Sequence, residues 1–107
     1  MNSKLKTVVE VNQFLSNLAL TPHDKFYPNS IIRYNDDLSL SNVMSYLLDL
    51  IEEGVVILKY ERKVNGVMVD VPLEEIDKSK LDEFYPVFYL TKEYRGFMRE
   101  KYKELLK

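Results

Sequence analysis

The sequence predicts an α+β fold in a single domain, residues 1–107, with helices first, a hairpin and a strand behind them, and a helix at the end. Three observations carry that prediction. Residues 38–56, LSLSNVMSYLLDLIEEGVV, join helical spacing of apolar side chains to a capping serine in front, a glycine at the back and a β-branched run behind. Asn65-Gly66 stands between two valine-rich runs, the strongest short hairpin signal, because both residues accept the positive φ of a type I′ turn. Thr91 precedes a charged and aromatic stretch with helical period.

The elements follow in order. Residues 4–20 set Leu5, Val8, Val11, Leu15 and Leu18 on one helical stripe, widened by Val9, Phe14 and Ala19. Thr21 and Pro22 read as a cap followed by proline at the first position of a new helix. Phe26, Tyr27 and Pro28 show no pattern. Residues 30–34 contain Ile31 and Ile32, which suit a short helix or a short strand, and the helix is preferred. Asn35, Asp36 and Asp37 form a turn. In the organising helix, Leu40, Val43, Met44, Leu47, Leu48, Leu50 and Ile51 make the apolar side, while Asn42, Ser45, Tyr46, Asp49, Glu52 and Glu53 make the other. Ser39 or Ser41 caps it and Gly54 closes it. A strand at 55–64 turns at Asn65-Gly66 into a return strand at 67–71, ended by Pro72. Residues 73–83 form an acidic, solvated connection with at most one helical turn. Residues 84–90 are a strand that Pro86 pushes towards a sheet edge, with Phe84 and Phe88 on one face and Tyr85 and Tyr89 on the other. The last helix has Tyr94, Phe97, Met98, Tyr102, Leu105 and Leu106 on its apolar side.

Composition narrows the function classes. A chain of 107 residues buries roughly 65% of its unfolded surface in one core. With 46% apolar and 30% charged residues it is an ordinary globular protein and not a disordered one. The net charge of −2 gives the molecule no general attraction for polyanions, so any nucleic-acid surface is a local patch. Cysteine is absent, which excludes disulfides and thiol chemistry and fits a reducing compartment. No apolar run reaches the roughly 18 residues of a membrane span, and the polar opening at residues 1–6 does not read as a signal peptide. A cytoplasmic protein is expected.

The stretches SLSNVMSYLLDLIEEGVV and FYLTKEYRGFM resemble the third helix with first wing strand, and the strand with helix start after the wing, of the winged helix-turn-helix superfamily. More faintly, the chain resembles small single-strand DNA-binding winged-helix proteins from mobile elements of low-GC bacteria. The resemblance implies a β-hairpin wing with an additional C-terminal helix, and DNA binding with the third helix in the major groove and the wing on the backbone or minor groove. On that helix Asn42, Ser45 and Tyr46 are the candidate contacts, but Asp49, Glu52 and Glu53 repel phosphate and no Lys or Arg accompanies them. Lys59, Arg62 and Lys63 surround Tyr60 near the wing tip, a grouping that suits phosphate contact with base stacking on a single strand, or alternatively a protected sheet edge. Lys92, Arg95, Arg99, Lys103 and Lys107 form a basic stripe on the last helix beside Glu93, Glu100 and Glu104. An aromatic last helix is also a route to a homodimer.

The expected function is therefore non-enzymatic DNA binding, as a small transcriptional regulator on duplex DNA or as an accessory protein holding single strands. The alternative is a protein-interaction module of the same fold that does not bind DNA. Catalysis finds little material: His23 is the one histidine, the carboxylates are scattered, and the three glycines form no phosphate loop, so neither metal nor cofactor is expected.

Overall fold

The computed structural model describes residues 3–33, 35 and 37–106. Helix α1 (Ser3–Ala19) is followed by strand β1 (Lys25–Phe26), helix α2 (Pro28–Arg33), helix α3 (Leu40–Glu52), strands β2 (Val56–Val64) and β3 (Val67–Val71), strand β4 (Tyr85–Leu90) and helix α4 (Lys92–Leu105). The fold is α+β. Four strands form one antiparallel sheet in the order β1-β4-β2-β3. Tyr34, Asp36 and Lys107, named above in the second helix, the turn and the basic stripe, lie outside the described residues.

Local signals account for α3. The Ser39 hydroxyl accepts the Asn42 N–H at 3.1 Å, so Ser39 is the cap. At the other end Gly54 has φ +74°, the Val55 N–H donates to the Leu50 carbonyl and the Gly54 N–H to that of Ile51. This is a Schellman closure, which satisfies two orphan carbonyls and turns the chain straight into β2. Thr91 then ties the next helix to the same corner: its hydroxyl donates to the Gly54 carbonyl at 2.6 Å while accepting the Tyr94 N–H at the start of α4. A Cβ on Gly54 meets no atom within 4 Å, so Gly54→Ala carries only the backbone cost of a positive φ. Urea unfolding is expected to show a loss of about 1–2 kcal/mol.

The core lies between the helices and one face of the sheet. Val11, Leu15 and Ala19 of α1, Ile31 of α2 and Val43, Leu47 and Leu50 of α3 meet Phe26, Val56, Phe88 and Leu90. Phe26 stacks on Phe88 and meets Phe14 edge-on, which joins α1 to the sheet through three rings. The radius of gyration is 15.1 Å, above the roughly 13 Å of a compact chain of this length. The hairpin tip and the end of α4 are exposed throughout.

Four expectations need correction. Thr21 and Pro22 open no helix: the Thr21 hydroxyl donates to the Leu18 carbonyl and accepts the His23 N–H, closing α1, and proline at the first helical position is Pro28. Strand β4 is not at an edge, since β1 and β2 flank it; Pro86 is tolerated because β1 reaches only as far as Phe88, so Pro86 has a strand on one side alone. Residues 73–83 contain two 3₁₀ segments, Leu73–Glu75 and Lys78–Glu83, where at most one turn was expected. The apolar side of α4 packs only through Tyr94 and Met98, because the helix runs on past the body it covers, and no residue of α4 is fully buried.

Candidate functional site

The ten residues expected to meet nucleic acid do not converge. On β2, strand alternation separates Lys59 and Lys63 from Tyr60 and Arg62. Tyr60 is opposite Pro86 and Val71 on the helix side of the sheet and is half-buried. Lys59 stands on the opposite face, its Nζ 4.9 Å from the centre of the Tyr89 ring. Arg62 and Lys63, near the turn, are exposed and have no ion-pair partner among the described residues.

On α3, Asn42, Ser45 and Tyr46 do lie together, but on the side towards α1. With Lys4, Thr7, Val8 and Asp49 they line a crevice of about 160 Å³. The Tyr46 hydroxyl donates to Asn12 Oδ1 at 2.9 Å, so its polar tip is held by α1. Ser45 and Asp49 are exposed at the rim of this crevice, and the outward side of α3 beyond them presents Ser41 and Glu52, both exposed, and Leu48, which is 48% exposed although helical spacing placed it with the core residues. No cation of α3 accompanies them.

On α4 the arginines are in use. Arg99 donates from Nε to the Ala19 carbonyl and from Nη2 to that of Thr21, both at 3.0 Å. Arg95 donates from Nη1 to the Thr21 carbonyl at 3.1 Å and from Nη2 to that of His23. Two guanidiniums thus collect the carbonyls at and beyond the negative end of α1, where cations are favoured by the helix dipole. Arg99→Ala is expected to lower stability by about 1–2 kcal/mol, the worth of charged hydrogen bonds reduced by their exposure. Thermal melts of that variant beside Arg99→Lys test it, since lysine keeps the charge and loses the fork. Lys92 is exposed, and Lys103 lies 3.5 Å from Glu100.

A different group of residues comes together on the helix-distal face of the sheet. Lys25 Nζ and the Tyr27 hydroxyl both donate to the Glu61 carboxylate at 2.5 Å, reaching it across β4. Glu61 is only 2% exposed, and Val87, the β4 residue beneath the crossing, is fully buried. Burial pushes the Glu61 carboxyl up, but the hydrogen bonds from Lys25 and Tyr27 outweigh it and hold the group below the usual carboxylate range. The bond to Glu61 is also the main cause that raises the Lys25 ammonium and the Tyr27 phenol. Burial, and then the nearby Asp70 charge, raise Tyr89. Lys25 and Tyr27 flank Phe26, but so short a strand carries no period, and neither they nor their partnership with Glu61 was legible in the sequence.

Two apolar hollows lie elsewhere on the surface. Tyr27, Pro28, Leu40, Met44, Tyr85 and Pro86 line a groove of about 310 Å³ between the α3 start and β4. The larger hollow, about 600 Å³, opens between the ends of α1 and α4, lined by Leu20, Met98, Tyr102 and Leu105 with Ser16, Asn17, Lys101 and Glu104. Here Tyr102 is 45% and Leu105 81% exposed, and Phe97 nearby is 60% exposed. No described helix is long and apolar enough to cross a membrane.

No protein-family model matches the chain, and neither a curated protein nor a solved structure does.

Proposed function

We propose that this chain is a winged-helix domain that works without catalysis as a protein-interaction module, receiving an amphipathic helix of a partner between α1 and α4. What carries the reading is the pair Tyr102 and Leu105, which continues the α4 stripe past the packed Met98, overhangs the body beside Leu20 and leaves a hollow of about 600 Å³ rimmed by Lys101 and Glu104. An uncovered apolar stripe with a charged rim is the usual mark of a helix-in-groove contact. The winged-helix assignment is supported by the order helix, two-residue strand, short helix, capped helix, hairpin, strand and helix. Duplex binding through α3 has less support, since its outward side is acidic and apolar and phosphate neutralisation dominates duplex affinity.

The test is Leu105→Glu combined with Tyr102→Glu. Both side chains are exposed, so the fold is expected to lose no more than about 0.5 kcal/mol by thermal melt. Affinity purification from cells that produce the chain should recover a protein with the wild type and lose it with the double variant. Equal recovery of every co-purifying protein by the two overturns the reading.

A second reading, DNA backbone contact through the wing, is favoured by Arg62 and Lys63, which have no ion-pair partner among the described residues. In that case Arg62→Glu with Lys63→Glu is expected to weaken binding strongly and flatten its salt dependence.

A further inference from the structure

The sheet ends in strand β3, and its outer edge is open. The other edge strand, β1, is two residues long, whereas β3 offers five, VMVDV, with no proline and no lysine to discourage pairing. Val67 and Val69 are exposed. The turn fixes which backbone groups face outwards. Asn65 and Gly66 have φ of 52° and 82°, as a type I′ turn requires, and such a turn closes with the Val67 N–H on the Val64 carbonyl. Val67, Val69 and Val71 therefore bond to β2, and the alternation of the antiparallel ladder turns the N–H and C=O of Met68 and Asp70 outwards. No backbone hydrogen bond reaches those groups among the described residues.

We infer that β3 is a self-association edge, on which a second copy of the chain adds its own β3 antiparallel about a two-fold axis through Val69. That register sets Met68 against Asp70 of the copy, and these residues exchange both of their outward bonds; with the symmetric pair the interface holds four. On the helix side of the sheet, Val69 meets Val69 and Val67 meets Val71, a row of β-branched cross-strand pairs. On the other side the charges agree. Asp70 stands opposite Glu61, whose carboxylate already holds Lys25, and among the described residues no cation lies within salt-bridge distance of Asp70. Lys63 stands opposite Met68, so in the dimer Lys63 and Asp70 of the other copy occupy one row two strand spacings apart, about 10 Å between backbones. A lysine side chain spans most of that distance and places a cation beside the Asp70–Glu61 pair.

Helix α4 gives a second copy a poorer fit. An antiparallel two-fold pairing sets one flank of a helix against the same flank of its image, here Glu93, Glu100 and Glu104 against themselves.

Sedimentation velocity of the full chain from micromolar to millimolar concentration tests the edge. A reversible dimer is expected. Met68→Pro removes an outward N–H and none that bonds β2, so circular dichroism and the melting temperature should hold while the dimer weakens roughly tenfold or more. Asp70→Lys should weaken it through repulsion by Lys63, and Lys63→Asp added to Asp70→Lys should restore it. Leu105→Glu should leave it unchanged. A wild type that stays monomeric throughout overturns the proposal. So does a dimer that survives both Met68→Pro and Asp70→Lys, or one lost only with Leu105→Glu. If Met68→Pro fails to fold, the charge exchange alone decides.

Discussion

Phe88→Ala is expected to remove about 3–5 kcal/mol of stability, close to the whole of a marginal domain's reserve. Phe88 is fully buried, stands opposite Phe26 on β1 and Leu58 on β2, and stacks on the Phe26 ring at 5.7 Å. Phe26 in turn meets Phe14 of α1, so truncation opens a cavity in the chain of rings that holds the first helix to the sheet. The melting temperature should fall by more than about 10 °C, read by calorimetry, with Phe88→Leu losing less than half as much. A loss below about 1 kcal/mol would be incompatible with a side chain packed between both neighbouring strands.

Lys25→Met has the next largest expected effect, about 2–3 kcal/mol. Removing one partner of a buried pair strands the other charge and costs roughly 3–5 kcal/mol. Here the Lys25 side chain is 39% exposed and water already screens the ammonium, so the lower figure applies. Adding Glu61→Leu to Lys25→Met should recover part of the loss, because an apolar pair of similar size carries no charge to desolvate while the Tyr27 hydroxyl loses its acceptor. The pair also shapes the pH dependence. The Glu61 carboxyl is lower in the folded state than in the unfolded one, so its contribution is complete above about pH 5 and disappears as pH falls through the folded value. The Lys25 ammonium is raised, so its contribution is complete below about pH 10 and disappears as pH rises through the folded value. Wild-type stability should therefore be level between these limits as far as this pair contributes. In Lys25→Met only the Tyr27 bond is left to oppose the burial that raises Glu61, so the acid limb due to Glu61 should shrink, which urea titrations between about pH 3 and pH 6 would detect.

Local chemistry made several elements legible. Ser39 and Gly54 marked both ends of α3, Asn65-Gly66 fixed the hairpin, and Thr91 marked the start of α4, because caps and turns act within a few residues. Strand β1 was hidden for the opposite reason. Two residues carry no period, and Phe26 is buried only because Phe14 and Phe88 lie far along the chain. The same short strand explains the error over Pro86, which keeps a strand neighbour on one side only.

The candidate site was less legible than the fold. Helical spacing grouped Arg95 and Arg99 on one stripe, but spacing cannot reveal that the stripe faces the carbonyls of Ala19, Thr21 and His23. The separation of Tyr60 from Lys59 and Lys63 was available from strand alternation, which puts neighbours in sequence on opposite faces. The Lys25–Tyr27–Glu61 cluster depends on strand order, which no local pattern encodes. The overhang of α4 was invisible for a similar reason: an apolar stripe shows which side is apolar, and the length of the supporting body decides how much of it is covered.

Whether the surface serves a protein or a nucleic acid is decided by fluorescence anisotropy with matched single- and double-stranded oligonucleotides at low and physiological salt. With the α3 exterior acidic and Arg95 and Arg99 bonded to backbone, no binding above the non-specific level is expected for either oligonucleotide, even at low salt where phosphate attraction is greatest. Tight, salt-dependent binding that Arg62→Glu with Lys63→Glu abolishes would contradict the protein-interaction reading and assign the wing to DNA.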